Sequence, residues 1–425
     1  MPNDNTPEVI VVGAGHAGLS ISYFLQQQNI SHIVFERGTI GYSWRTQRWD
    51  SFCLNTPNWM NALPGDKVEG EPIDGFMQRD AFVNYLEGYA KKFKLPVQEN
   101  TKVISAKKRQ EDGLFEVTTD KKGKLSFFTC RHLVIACGIM SAPKMPAFCS
   151  LLPKNIHQLH GADYRNADSL PEGAVLVTGG GQSGCQIAED LANHNRKVYF
   201  ATSRVGRYPR RYRGRDILEW ATENKFFDAP LESITDPKML RMPNPHISGT
   251  GRYGHTLSLQ SLARQGVSIL GRLVEIKGDE LVFANDAAEN VRFADEFSAW
   301  FKKMIDDFIN TSQTACEPPE TEPDDMPDNA AACVDSSLSL NIREKNISTV
   351  IWTTGFTADF SWVTPSVTNE NGVPVHDHGI SPVDGVYFIG FPWLRTRKSG
   401  IVYGMEDDAR FIVEKIAGLP QNKDY

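Results

Sequence analysis

The chain has no C-x-x-C pair; its seven cysteines are scattered and odd in number, and none falls at metal-ligand spacing. That speaks against a dithiol reductase and against a metal centre, and the thiols read as reduced and mostly buried in a cytoplasmic protein. No apolar run approaches the roughly 18 residues of a membrane span. The stretch Met1–Glu8 carries acid and no basic residue, so no secretory or transit signal is read there. A basic surplus is missing too: the net charge is -7, which argues against a nucleic-acid binder. No His or carboxylate constellation marks a general acid–base pair. What remains is 425 residues with 40% apolar and 23% charged content, ordinary for a soluble protein and long enough for two or three units.

Two glycine turns organise that length. Gly13-Ala14-Gly15-His16-Ala17-Gly18 follows the apolar run Val9-Ile10-Val11-Val12, and Gly179-Gly180-Gly181-Gln182-Ser183-Gly184 follows Ala174–Thr178. One G-x-G-x-x-G is a weak signal. Two, each between a buried strand and a helical apolar face, suggest two bound dinucleotides, a nicotinamide one meeting a flavin one. The two strand ends differ. His32-Ile33-Val34-Phe35 ends at Glu36, placed for a ribose hydroxyl. Lys197–Ala201 ends in Thr202, Ser203 and Arg204, and an arginine there favours a 2′-phosphate, hence NADPH. Arg207, Arg210, Arg211, Arg213 and Arg215 follow; solvated surface is the expected fate of several, with a nucleic-acid patch as the rival reading.

Other segments fit around the turns. Gly41 to Pro57 reads as a loop over the cofactor, with Trp49 equally suited to the core. Asp80–Phe93 is an amphipathic helix. Lys102–Ile104, Leu114–Thr118 and Leu125–Cys130 read as a covering meander, and Leu133–Gly138 as another buried strand. Phe293, Phe297, Trp300, Phe301, Met304, Ile305 and Phe308 lie on one helical face, which suits core or subunit packing, or the roof of a substrate site. Thr311–Asp335 holds four prolines, seven acids and no Lys or Arg, and reads as a mobile acidic loop or linker. Thr349–Phe356 and Val386–Gly390 are strands, and Arg397–Gly404 opens a final helix whose N-terminus suits the flavin's pyrimidine edge.

The pattern resembles the flavin-containing monooxygenases, in a bacterial or YUCCA-like form, over nearly the whole chain. The resemblance rests on both glycine turns, Glu36, Gly41 with Trp44, Asn55 and Thr353-Thr354-Gly355-Phe356. The family's fingerprint survives as His160-Gly161-Ala162-Asp163-Tyr164 without its Phe and Gly, and Tyr164 stands where a Baeyer–Villiger enzyme carries Trp. The resemblance implies an α/β fold of two Rossmann-like domains, the NADPH domain inserted into the FAD domain: residues 1–165 and 336–425 for FAD, 166–335 for NADPH. It implies cofactor contacts at Gly13, Gly15, His16, Ala17, Gly18, Glu36, Arg37, Trp44, Arg45, Thr56, Val103, Gly138, Gly179, Gly181, Gln182, Ser183, Gly184, Ser203, Arg204, Thr354, Gly355, Gly390, Ser399, Gly400 and Ile401. Asn55 would be the catalytic residue beside the reactive flavin carbon.

The implied chemistry is hydride transfer from NADPH to FAD, addition of O2 to give a C4a-(hydro)peroxyflavin, and transfer of one oxygen atom to a small amine, thioether or carbonyl acid. The alternative is a flavin-dependent NAD(P)H oxidase or reductase without oxygen transfer; a third reading is a non-catalytic dinucleotide sensor. A homodimer is the assembly many relatives form.

Overall fold

Val9–Val12 is the middle strand of a parallel sheet ordered Val386–Phe388, His132–Ile135, Val9–Val12, His32–Phe35, Val97–Gln98. The structure, a computed structural model, describes residues 6–236, 240, 243–320, 322–327 and 329–418. Residues 1–5, and Thr321 and Asp328 of the acidic segment, lie outside that set. Val9, Ile10 and Val11 are completely buried because both faces of the sheet are covered, which is why the strand reads as an unbroken apolar run. Val9 and Val11 pack with the helices His16–Gln27 and Met405–Ile416. Ile10 faces the antiparallel meander Lys102–Lys108, Phe115–Lys121 and Lys124–Cys130, with Phe115, Val117 and Phe128. Each such buried aliphatic side chain contributes about 1.5–3 kcal/mol.

A second parallel sheet repeats the plan: His157–His160, Ile347–Trp352, Ala174–Thr178, Val198–Ala201, Ser268–Leu270. In both sheets the glycine-turn strand is central, with the strand after its helix on one side and a much later strand on the other. The second sheet takes chain from outside 166–335. Ile347–Trp352 pairs with Ala174–Thr178, and His157–His160 forms the edge beyond it. The two crossings between the sheets pair with each other, Ala142–Pro143 antiparallel to Phe356–Thr357. His160 braces that junction, donating from Nε2 to the Gly355 carbonyl (2.9 Å) and accepting at Nδ1 from the Ala162 N–H (3.1 Å).

The aromatic face at 293–308 lies on one helix, Ala287–Ser312. Phe301 and Ile305 are buried against Trp220, Ile217 and Met60, so this part of the face serves the core, while Trp300 stays exposed.

The acidic segment is not the mobile linker its composition suggests. Asp325 is 5% exposed and accepts from Arg207, Ser298 and Lys302. Glu320 accepts from the Arg213 and Gly214 N–H groups, and Asp324 pairs with Arg264. The arginine cluster is likewise mostly spent inside the fold. Arg207 and Arg210 are buried, on Asp295 with Asp325 and on Asp216 respectively. Asp325 on Arg207 ties the segment to the cluster, while Arg210, Arg213 and Arg215 pair with Asp216, Asp306 and Glu219, and a local composition reading has no access to that pairing.

Candidate functional site

The two turns share one steric logic. Gly13 has φ +111 and Gly179 φ +118, a region that favours glycine, and a Cβ would lie 2.7 Å from the Ala136 carbonyl and 2.4 Å from that of Thr353. At Gly18 and Gly184 a Cβ would fall within 2.0 Å of the Gly13 or Gly179 carbonyl oxygen, so glycine there lets helix and strand touch. Gly15 and Gly181 are different. Their backbones are ordinary (φ -81, ψ -172 and φ -75, ψ 177), and a Cβ at either meets nothing within 4 Å. Neither conformation nor packing calls for glycine at these two positions; a ligand passing close to the backbone does. At each turn the unpaired N–H groups of a helix's first turn point out beside that open space. The residues present therefore fit a dinucleotide pyrophosphate at both turns.

On the first turn, Glu36 is buried at the end of its strand and accepts from the Ala14 N–H (2.9 Å) and the Gly38 N–H (3.0 Å). Burial pushes its carboxyl up, against the pull of those N–H groups. His16 opens the helix with both ring nitrogens buried and unpartnered; burial drops it to about 4, against a smaller opposing pull from the Gly400 backbone. Its ring is 6.1 Å from Trp44, which packs edge-on against Phe82. Ala17 is buried, and a Cβ on Gly390 would lie 2.6 Å from the Ala17 methyl, so the last strand of the sheet closes tightly on the turn helix. Gly138 (φ +68) ends the neighbouring strand with open space around it. Val103 is buried in the meander opposite. Ser399 accepts from the Arg395 and Thr396 N–H groups and donates to Asp408. Gly400 (φ +87) sits on the Phe391 backbone, and Ile401 follows it half-buried.

Four expected positions lie elsewhere. Arg45 is exposed and paired with Glu87, and Arg37 is exposed over the Tyr42 ring. Thr354 and Gly355 belong to the crossing, bonded to the Lys144 backbone. Trp49 is buried and edge-on to Phe52, a core aromatic.

On the second turn, Ser203 packs on Gly180, whose Cβ would lie 2.4 Å from the Ser203 nitrogen. Arg204 is exposed, with its guanidinium carbon 4.3 Å from the Phe293 ring centre and no carboxylate partner among the described residues. Ser183 is exposed at the helix start. Gln182 accepts from the Ile247 N–H and donates to the Ser248 carbonyl.

Asn55, on the loop that follows the first turn in the chain, reaches the helix of the second. Its Oδ1 accepts from Gln186 Nε2 at 3.0 Å, and Gln186 lies on the helix of the second turn. The Asn55 carbonyl accepts from Arg210 (2.8 Å), and the Asn55 Nδ2 has no partner among the described residues. The adjoining Thr56 hydroxyl is bonded to Asn61. Gln186 and Arg210 escaped sequence reasoning: nothing local marks a glutamine inside a helix or one arginine among five. Arg48 escaped as well. It stacks over Trp44 and Phe52, burial lowers it to about 10, and it has no carboxylate partner among the described residues. Its only signal was its place in the Trp-rich loop.

The model of the pyridine nucleotide-disulphide oxidoreductases matches residues 10–235. The chain belongs to that family. It is 31% identical, over 96% of its length and 98% of the relative's, to an oxidoreductase of Geobacillus kaustophilus described as CzcO-like and uncharacterized. It is 30% identical to a probable indole-3-pyruvate monooxygenase, YUCCA8 of Arabidopsis thaliana, over 50% of this chain and 51% of the relative. The fold is that of a flavin-containing monooxygenase from Stenotrophomonas maltophilia (TM-score 0.62, 17% identity, 97% of this chain and 99% of that one). It is also that of OTEMO in complex with FAD and NADP (TM-score 0.57, 17% identity, 97% and 85%). The resemblance to the flavin monooxygenases and the fold of two Rossmann-like domains both hold. No helix among the described residues is long and apolar enough to cross a membrane, and none of their His, Cys, Asp and Glu groups could hold a metal.

Proposed function

We propose that the chain is an FAD- and NADPH-dependent monooxygenase that transfers one oxygen atom from O2 to a small organic substrate. The observation that carries this reading is the Asn55–Gln186 hydrogen bond, because it ties the loop at 41–57, which follows the first glycine turn in the chain, to the helix of the second. FAD held at the first turn would supply the oxygen-activating chemistry, with NADPH held at the second as the source of reducing equivalents.

The chain's own residues hold and shield. Gly15 and the N-terminus of His16–Gln27 receive the FAD pyrophosphate, and Glu36 takes a ribose hydroxyl with its remaining lone pairs. Gly181 and the N-terminus of Gln182–Asn193 receive that of NADPH, with Arg204 on the 2′-phosphate. Asn55 keeps both Nδ2 hydrogens free to donate, while Gln186 fixes which way its amide faces. Trp44 and Phe82 exclude water beside the first turn. The substrate class is an amine, a thioether or a carbonyl acid; the YUCCA relative, by its name, acts on one of the last. A cytoplasmic location belongs to the same reading.

The test is a stoichiometry: NADPH consumed, labelled oxygen incorporated from 18O2 and peroxide released, across a panel of the three substrate classes. Incorporation matching NADPH for one class supports the assignment. NADPH recovered wholly as peroxide, with every class, makes the chain an oxidase instead.

A further inference from the structure

Arg397 lies two residues before Ser399, in the loop assigned above to the flavin ring. Its guanidinium carbon is 4.1 Å from the ring centre of Phe226 and 4.7 Å from that of Trp393. It has no carboxylate partner among the described residues, and its buried Nε has no hydrogen bond. The acids nearby are taken: Lys398 holds both Asp228 and Asp407. Burial accordingly lowers the Arg397 pKa, with only a smaller opposing pull from Tyr208. A half-buried cation bordered by rings and lacking an anion is costly in a finished fold, and an incoming anion relieves that cost.

The surroundings are built as the wall of a site. Backbone bonds from Arg397 N–H to the Ala229 carbonyl (3.0 Å) and from Lys398 N–H to that of Phe227 (3.1 Å) fix the loop against the Phe226 segment. Tyr208 packs edge-on to Phe301 at 4.5 Å, and its hydroxyl has no hydrogen bond among the described residues. Tyr403 joins Phe227 to Trp59, at 6.2 and 5.9 Å, and so continues the ring wall to the segment that begins at Asn55. Apart from Phe301, which belongs to the core, these rings are half-buried.

We propose that Arg397, with the Tyr208 hydroxyl beside it, binds the carboxylate of the substrate, an organic acid whose apolar, ring-bearing body lies against Phe226 and Trp393. The guanidinium offers paired donors to a carboxylate, and the rings raise the strength of that bond by excluding water. This inference rests on the reading of the Ser399 loop as the flavin-facing loop.

The experiment is calorimetric titration of the FAD-loaded protein with 3-phenylpropanoate, 3-phenylpropanamide and 2-phenylethylamine, which share a body and differ in charge. The acid is expected to bind at least about tenfold tighter than the amide, and the amine weakest. Arg397→Gln should erase the acid preference, and Arg397→Lys should keep part of it. Equal affinity for acid and amide, no binding of the acid, or an unchanged preference in Arg397→Gln each overturns the proposal. The comparison of acid with amide needs only the unaltered protein, so a variant that loses FAD does not block the test. Oxygen incorporation is read separately. Acid preference without incorporation sinks the monooxygenase reading and leaves the carboxylate site standing; oxygenation of a neutral thioether with no acid preference does the reverse.

Discussion

The side-chain amide of Gln186 donates to the side-chain oxygen of Asn55 at 3.0 Å, across 131 residues of chain. The same Nε2 meets the Ser248 carbonyl at 3.0 Å, so the glutamine is held from two sides and orients the asparagine in turn. Gln186→Leu removes that orientation while keeping the volume. Peroxide released per NADPH should rise severalfold in this variant and at least as far in Asn55→Ala, with NADPH affinity changed little. Leaving the Asn55 Oδ1 without its donor, while Gln182 still serves the Ser248 carbonyl, should also cost about 1–3 kcal/mol in denaturant unfolding. Unchanged peroxide yield in both variants would remove Asn55 from the mechanism.

The glycines of each turn separate binding from folding. Gly15→Ala meets no protein atom and has a backbone that alanine adopts freely, so stability should hold or rise by about 0.4–1 kcal/mol while FAD content collapses. Gly18→Ala drives a methyl into the Gly13 carbonyl and should lower Tm whether or not FAD is present. Gly181→Ala and Gly184→Ala should repeat the contrast with NADPH affinity in place of FAD content. Apo- and holo-protein melting curves beside flavin absorbance decide it.

Arg204→Glu changes an exposed residue, so folding should be unaffected. NADPH affinity should fall by about tenfold or more while NADH affinity stays within about twofold, since only the former carries the 2′-phosphate. Equal losses for the two nucleotides would rule the role out.

Asp408 gives a pH signature. Burial raises its carboxyl to about 6, ahead of the opposing hydrogen bond from Ser399, and its Oδ2 has no partner. An acid whose folded value lies above its unfolded one favours the fold while protonated. That contribution is complete below about pH 4 and is lost as pH rises through about 6. Asp408→Asn keeps an acceptor for Ser399 without the charge. The variant should therefore gain on the native protein between about pH 4 and 6 and hold a lead of about 2–3 kcal/mol above that. A lead independent of pH would contradict the assignment.

Asp325→Ala should strip the buried Arg207 of one of its two carboxylates and cost about 3–5 kcal/mol. It should also release the acidic segment, read as new proteolytic cleavage between 311 and 335. Unaltered cleavage would mean that other contacts hold the strap.

The two turns were legible in the sequence because their requirements are local. A glycine at φ near +111 or +118, a carbonyl two ångströms from a would-be Cβ, a β-branched run and an acid or arginine at the strand end all lie within about 30 consecutive residues at each turn. The meander and the helix at 80–93 were legible through their periods of two and 3.6. Tertiary structure decided what joins distant segments. A buried parallel strand carries no mark of its sheet, so Ile347–Trp352 could be assigned only once it lay beside Ala174–Thr178. Charge composition showed that acids and arginines abound near 320 and 210, but not that Asp325 would be buried on Arg207. Nor did it show that Arg397 would be left with rings and no acid. Backbone sterics and hydrophobic periods are properties of neighbours in the chain. Pairing, burial and an unmet charge are properties of neighbours in space, and folding alone creates them.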